Sequence, residues 1–160
     1  MPKEIERKFL VADDGWREHA GPGKSLRQAI LFSEGSRSIR IRTLGDTDAR
    51  LTIKIGINGI SRHEYEYEVP LSDAEELLAL SNGAHIAKMR YEVNHGGYVW
   101  EVDVYEGVLE GLVIAEVELE SESDDPALPA WLGREVTSDK RFSNQALAEG
   151  SLGENWRDGI

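Results

Sequence analysis

Charged and apolar residues alternate along one segment of this chain after another. Residues 38–42 read SIRIR, residues 51–55 read LTIKI, and residues 62–69 read RHEYEYEV and stop at Pro70. Successive side chains of a β-strand point to opposite faces, so this alternation predicts strands that are charged on one face and apolar on the other. The fold then depends on which of the two faces is turned toward the interior.

The same pattern predicts eight strands, joined mostly by short turns. They are residues 4–8, 26–32, 38–42, 51–55, 62–69, 86–93, 98–105 and 113–119. Asn58-Gly59 is a strong hairpin signal, and a second hairpin is expected across His95-Gly96-Gly97. The predicted fold is mainly β with accessory helices, an antiparallel barrel or sandwich, in a single domain over residues 1–160.

Helices are expected to be few and short. Residues 72–75 read Ser-Asp-Ala-Glu, a capping box, and begin a predicted helix that Asn82-Gly83 ends. A second helix is predicted over residues 143–149, with its first serine as the cap. Prolines within residues 126–131 suggest a short helical turn, and residues 150–160 are expected to form a loose tail.

The first predicted strand, Glu4-Ile5-Glu6-Arg7-Lys8, places both glutamates and Lys8 on one face. Two carboxylates about 7 Å apart along a strand can contact one hard cation, and the lysine beside them can bind an anion. A patch that holds a divalent cation and an anion suits a metal-bound polyphosphate. Taken alone, the pentapeptide is better explained as a solvated strand face with three charges.

Both signs of charge continue along the other predicted strands. Although the net charge is −12, nine of the 18 basic residues lie on these charged faces or just after the last strand: Lys8, Arg40, Arg42, Lys54, Arg62, Lys88, Arg90, Lys140 and Arg141. The acidic residues on the same faces are Glu4, Glu6, Glu64, Glu66, Asp103, Glu116 and Glu118, together with Glu92, Glu101 and Glu120. For the last three, simple pairing with neighbouring basic residues is the favoured interpretation.

Two arrangements are open at this point. With the charges facing water, the intervening residues would form the core of a sandwich: Ile39, Ile41, Ile53, Ile55, Tyr65, Tyr67, Met89, Tyr91, Val102, Val104, Val117 and Leu119. With the charges facing inward, the apolar face needs a cover, either helices or the partner subunit of a homodimer. The mixture of basic pairs and acidic triplets favours the inward arrangement, because it resembles the lining of a site for a metal and a polyanion. Buried like charges need such ligands, or dense pairing.

Composition narrows the function. The chain has no cysteine, so any metal must be held by oxygen or imidazole, which favours Mg²⁺ or Mn²⁺. The acidic balance argues against a nucleic-acid surface. The sequence shows neither a signal region nor an apolar run of membrane-spanning length, which predicts a cytoplasmic protein without membrane contact.

Taken together, these motifs identify a family resemblance. EIERK resembles the E-x-E-x-K signature of the CYTH superfamily of triphosphate tunnel metalloenzymes, and SIRIR, LTIK, RHEYEYEV, AKMRYEV, WEVDVY, AEVELE and EVTSDKRFSNQALA follow in the family's order. The resemblance implies a closed tunnel of eight antiparallel strands with a charged interior. Such a tunnel binds a triphosphate through basic side chains and one or two divalent ions through carboxylates.

The resemblance also implies residue roles. Glu4, Glu6 and Glu118 would hold the catalytic Mg²⁺ or Mn²⁺, with Glu116 and Asp103 nearby, while Glu64 and Glu66 would assist a second metal or orient the arginines. Phosphate oxygens would be bound by the nine basic residues above. Lys88 is expected to help water attack, because neighbouring cations lower the pKa of a lysine. One departure is Ile30, where many small bacterial members carry a tyrosine in a Q-x-Y-L pattern, so any phosphate contact there is in doubt.

The family supports several reactions that begin with a metal-bound triphosphate. The favoured function is metal-dependent hydrolysis of inorganic tripolyphosphate to pyrophosphate and phosphate, because the compact chain shows no evident segment for purine recognition. The alternatives are adenylate cyclase and hydrolysis of thiamine triphosphate or a nucleoside triphosphate. A catalytically inactive polyphosphate-binding module is disfavoured, since the carboxylates and basic residues of the motifs are all present.

Overall fold

A computed structural model describes residues 3–81 and 85–159 of the chain. It contains nine strands: β1 (Lys3–Val11), β2 (Lys24–Glu34), β3 (Arg37–Leu44), β4 (Asp48–Gly56), β5 (Ser61–Glu68), β6 (Ile86–His95), β7 (Tyr98–Tyr105), β8 (Val113–Leu119) and β9 (Leu132–Glu135). The α-helices are α1 (Leu71–Leu80) and α2 (Asn144–Ala148), and 3-10 turns cover Asp14–His19, Gly107–Leu109, Lys140–Phe142 and Trp156–Gly159. All eight strands predicted from the alternation are present.

Eight of the strands close into an antiparallel ring. The order around the ring is β1, β5, β4, β3, β2, β6, β7 and β8, and β8 pairs again with β1. The joint between β1 and β5 is short, with only the residue pairs Lys3–His63, Glu4–Arg62 and Ile5–Ser61. The ring confirms the closed eight-stranded tunnel, and the sandwich with outward charges is wrong.

The charged faces of the strands line the inside of the ring. Arg40 is 5% exposed and Glu6 is 8% exposed, although both belong to the polar face of their strands. The apolar face of β1, β7 and β8 points outward, where Trp16 and Trp131 cover it in one packed cluster. On the opposite side, Ala74 and Leu78 of α1 cover Ala29 and Ile41, so the chain itself supplies much of the predicted cover.

At the end of the ring where β1 finishes, the inward positions become apolar. Leu10 follows Glu4, Glu6 and Lys8 on the same face of β1, and it packs in one cluster with Ile86, Tyr105 and Ile114 of the neighbouring strands. Val136, Phe142 and Leu147 from the segment after β9 join this cluster. That segment therefore covers this end of the ring on the side of β6, β7, β8 and β1.

Three local predictions differ from the structure or lie outside it. Residues 126–131 do not form a helical turn, and the strand β9 follows them instead, paired with Phe9 and Val11 of β1. The helix α1 begins at Leu71 after Pro70, with no side-chain cap, so the predicted capping box at Ser72 does not form. The predicted end of that helix at Asn82-Gly83 lies outside the described residues.

The C-terminal segment is packed rather than loose. Leu152 and Trp156 lie against the apolar cluster at the covered end, and the guanidinium of Arg157 donates to the carbonyl oxygens of Val108 and Glu110. The prediction for α2 is confirmed, since Ser143 Oγ accepts a hydrogen bond from the Ala146 backbone N–H. Within residues 3–81 and 85–159, no helix combines the length and apolar character needed to cross a membrane.

Candidate active site

A cavity of about 1000 Å³ occupies the ring, and most of the predicted site residues line it. The lining members are Glu4, Glu6, Lys8, Arg40, Arg42, Lys54, Arg62, Glu64, Glu66, Arg90, Glu116, Glu118 and Lys140. Three predicted residues, Lys88, Asp103 and Arg141, are not among the side chains that line it. The alternation of β-strands brings the lining set together, because every second residue of each strand faces inward.

Acidic side chains face one another across β1 and β8. Glu6 lies directly opposite Glu118, and Lys8 lies directly opposite Glu116. Burial raises the pKa of Glu6 to about 8, with further contributions from the negative charges of Glu116 and Glu4. Burial and neighbouring carboxylates also raise the pKa values of Glu4 and Glu118. Burial and mutual repulsion therefore disfavour the charged forms of Glu4, Glu6 and Glu118 on this wall.

The raised pKa of Glu6 predicts that the ligand-free protein loses stability as pH rises from about 4.5 toward about 8. The folded state binds more protons than the unfolded state in this window, so the contribution is complete below pH 4.5 and lost above pH 8. Between pH 5 and 7 the free energy of unfolding of the wild type should fall by an amount on the order of 1 kcal/mol or more, and Glu6→Gln should remove this fall. Urea unfolding in the presence of a chelator measures both. The window stops at pH 7 because burial lowers the pKa of Lys88 to about 7, which acts in the opposite direction above that pH.

Glu76→Gln is the matched control for this measurement, because Glu76 is exposed on α1, away from the cavity. The control should keep the wild-type dependence of stability on pH. Equal slopes for wild type and Glu6→Gln would show that Glu6 ionises normally in the folded protein.

The opposite wall carries arginines that lack an acidic partner. Arg40 makes only a long hydrogen bond of 3.4 Å to Thr52 Oγ1, and its Nε has no partner in the described part of the chain. Arg42 donates from Nε and Nη2 to Gln28 Oε1 at 3.0 and 2.8 Å. Burial, together with Arg40 and Arg90, lowers the pKa of Arg42 to about 9. Within the described residues neither Arg40 nor Arg42 forms a salt bridge, so this wall has positive charge available for an anion.

Lys54 and Arg62 lie between the two walls. Lys54 Nζ lies 3.7 Å from Glu4 Oε2 and 3.6 Å from Glu64 Oε2, and Arg62 Nη2 lies 3.2 Å from Glu6 Oε1. These pairs are loose except for the last. Lys54 can exchange a carboxylate for a phosphate oxygen without leaving a tightly made ion pair, and Arg62 can do so where it releases Glu4, whose Oε2 lies 3.7 Å from its Nε.

Lys88 and Asp103 form a buried ion pair behind the wall of the cavity. Lys88 is fully buried, with Nζ 2.7 Å from Asp103 Oδ2, and Arg90 binds both oxygens of the same carboxylate at 2.7 and 2.8 Å. Although burial opposes it, the charges of Lys88 and Arg90 hold the pKa of Asp103 below its ordinary value. Asp103 is therefore fully engaged by two cations as the side chains stand, and its role as a metal ligand stays a prediction, as does the role of Lys88 toward water.

Arg141 and Glu101 each pair with a neighbour of opposite charge, and of the two only Glu101 lines the cavity. Arg141 is exposed and binds Asp139 through Nε and Nη2. Glu101 lies 3.1 Å from Arg90, as expected for a pairing role, and Lys140 lines the cavity close to Asp139. A phosphate contact from Arg141 would require it to leave Asp139.

Several neutral residues that line the cavity or lie behind its wall were not predicted from the sequence. Gln28, which holds Arg42, and Thr52, which contacts Arg40, are both almost completely buried. Asn144 lines the cavity from α2. A search for charges could not find these three, although Asn144 lies within the EVTSDKRFSNQALA motif. Ile30 lines the cavity opposite Arg40 and offers no hydrogen-bonding group there.

Known proteins share this ring. The sequence model of the CYTH domain matches residues 2–149, so the chain belongs to the CYTH domain family. An inorganic triphosphatase of Acetivibrio thermocellus is 44% identical over 150 residues, covering 93% of this chain and 95% of the relative. One of Nitrosomonas europaea is 42% identical over 151 residues, covering 91% of this chain and 96% of the relative. The crystal structure of the inorganic triphosphatase NE1496 superposes with a TM-score of 0.64 at 37% identity, covering 92% of this chain and 95% of that one.

Proposed function

We propose that this protein is an enzyme that hydrolyses inorganic tripolyphosphate to pyrophosphate and phosphate. The observation that carries the proposal is a pair of guanidinium groups, the buried one of Arg40 and the half-buried one of Arg42, that have no salt bridge within the described residues. A buried charge without a partner is costly, so these groups are built for an anion that the chain does not supply. The names of the relatives point to the same class of substrate.

The carboxylates that line the cavity across from these arginines fit a hard cation. Glu4 Oε2 and Glu64 Oε2 are buried acceptors that make no hydrogen bond in the described part of the chain. The donor set is oxygen only, as Mg²⁺ and Mn²⁺ prefer. No three of the described carboxylates and imidazoles converge closely enough to hold a metal ion as the side chains stand. We assign Glu4, Glu6 and Glu118 to the ion, with Glu116, Glu64 and Glu66 as further candidates.

Such an ion supplies electrostatic stabilisation of the phosphoryl group that is transferred. The chain's own residues bind and orient the substrate: Arg40, Arg42, Lys54 and Arg90 donate to phosphate oxygens, and Gln28 holds Arg42 in place. Lys8, Arg62 and Lys140 also line the cavity and would contact further phosphate oxygens. The strands hold these donors in position before the substrate arrives, which lowers the entropy cost of the reaction.

A comparison of substrates tests the proposal. Tripolyphosphate should be cleaved with a kcat/KM at least about tenfold above that for ATP, a difference of roughly 1.4 kcal/mol, because the donors surround a chain of phosphates. Phosphate release from both substrates, measured with Mg²⁺ and with Mn²⁺ in one preparation, checks the ratio. Cyclic AMP as the main product from ATP, with tripolyphosphate left intact, would assign the site to a cyclase instead.

A further inference from the structure

Asn144 is the neutral residue whose contacts define its orientation most fully. Its Oδ1 accepts a hydrogen bond from the Tyr105 hydroxyl at 2.9 Å and lies 3.5 Å from Lys88 Nζ. An ammonium group only donates, so an amide turned the other way would bring two donors together. The lysine therefore fixes which end of the amide faces the buried side.

The amide nitrogen of Asn144 is available to a ligand in the cavity. Asn144 is one of the residues that line the cavity, and no hydrogen bond within residues 3–81 and 85–159 uses its Nδ2. Tyr105 is 2% exposed and Lys88 is completely buried, so neither partner faces bulk solvent. Two buried groups therefore hold Oδ1, and they fix the position of the two N–H donors of Nδ2 through the rest of the amide.

The partners of Asn144 belong to a hydrogen-bonded network that also includes Arg90, a second residue that lines the cavity. Lys88 binds Asp103, and Asp103 accepts two hydrogen bonds from Arg90, which lines the cavity. Arg90 and Asn144 are thus two donors at the cavity wall that are joined behind it by a buried ion pair. The connection fixes the orientation of a charged donor and a neutral donor at the same time.

We propose that Asn144 contacts the substrate, with Nδ2 donating to a phosphate oxygen of the bound triphosphate, and that Tyr105 and Lys88 act as positioning residues for it. The proposal rests on the function proposed above. A neutral amide adds a hydrogen bond to the phosphate chain without adding to the repulsion among Arg40, Arg42 and Arg90. It also gives Lys88 a role that does not require its ammonium group to leave Asp103.

Two substitutions at Asn144 separate substrate contact from a structural role. Asn144→Ala removes both ends of the amide, whereas Asn144→Asp keeps the acceptor for Tyr105 and Lys88 but places an anionic oxygen toward the substrate. If Nδ2 contacts phosphate, kcat/KM for tripolyphosphate should fall about tenfold in Asn144→Ala and further in Asn144→Asp, because a repulsive contact replaces an attractive one. A purely structural role predicts the opposite order, since the aspartate would pair with Lys88.

Asn155→Asp is the control for the added charge, because Asn155 is exposed in the C-terminal segment. It should keep wild-type kcat/KM, and thermal unfolding should show that each variant is folded. Wild-type activity in a folded Asn144→Ala, or higher activity in Asn144→Asp than in Asn144→Ala, would overturn the inference. Failure of the wild-type protein to cleave tripolyphosphate in the same assay would instead overturn the proposed function.

A double-mutant cycle tests the positioning role of Tyr105. Tyr105→Phe removes only the hydroxyl that donates to Asn144, so it should lower kcat/KM severalfold in the wild type and have no further effect in Asn144→Ala. Independent effects of the two substitutions would mean that Tyr105 does not act through Asn144. The coupling is a kinetic quantity that a general loss of stability would not produce.

Discussion

Glu4→Gln and Glu6→Gln should each lower the turnover of tripolyphosphate about a hundredfold or more. Glutamine keeps the size of the side chain and removes the charge that would hold a cation, and loss of one electrostatic group at a reacting centre typically has an effect of this size. Phosphate release at saturating tripolyphosphate measures the loss. A chelator should abolish activity in the wild type, and Mg²⁺ or Mn²⁺ should restore it.

Glu76→Gln is again the matched control, because it removes the same charge from the exposed surface of α1. It should keep wild-type turnover. Thermal unfolding of Glu6→Gln is expected to show a folded protein, since the substitution removes a carboxylate whose pKa burial has raised to about 8. Wild-type turnover in either cavity variant would show that these two carboxylates do not hold the catalytic ion.

A non-hydrolysable imido analogue of tripolyphosphate with Mg²⁺ should raise the melting temperature by about 5–10 °C. A ligand at 100 times its Kd that binds only the folded state adds about 2.7 kcal/mol, and 1 kcal/mol corresponds to about 2–4 °C for a chain of this size. The physical reason is that buried Arg40 and half-buried Arg42 have no salt bridge among the described residues, because the analogue supplies the missing negative charge. Differential scanning fluorimetry across a ligand titration measures the shift.

Arg40→Gln should have two effects of opposite sign in the same experiment. It should raise the melting temperature of the empty protein, because it removes an uncompensated buried charge, and it should remove much of the increase that the analogue causes. Arg37→Gln is the matched control, since Arg37 lies three residues earlier on β3 and is exposed. A normal ligand-induced shift in Arg40→Gln would show that the analogue binds elsewhere.

The strands could be predicted from the sequence because their signal is local. Residues 38–42 and 51–55 alternate so regularly that a one-residue error would move every charge to the wrong face. The strand β9, which reads LGRE, has no such pattern, and it depends on the pairing of Leu132 and Glu135 with Val11 and Phe9 of β1. Short strands of this kind depend on tertiary context more than on propensity.

Most charged residues of the site were predictable, although Lys24 and Arg50 also line the cavity and were missed, whereas the depth at which each charge lies was not predictable. Lys88 and Arg90 share one face of β6, so the period of two assigns both to the cavity. The structure separates them, because Asp103 and Asn144 enclose Lys88 while Arg90 lines the cavity. Gln28 and Asn144 carry no charge, and nothing in the alternation distinguishes a neutral residue that orients an arginine from one on a solvated surface.

The short joint between β1 and β5 is where the ring closes with the fewest contacts. Three residue pairs join β1 to β5 there, whereas β1 and β8 share six. Glu4 lies within this joint, paired with Arg62 on the other side, and both side chains also line the cavity. A ligand that binds these two side chains from inside the ring therefore stabilises the joint that has the fewest residue pairs. Closure of the ring and binding of the ligand then depend on the same two residues.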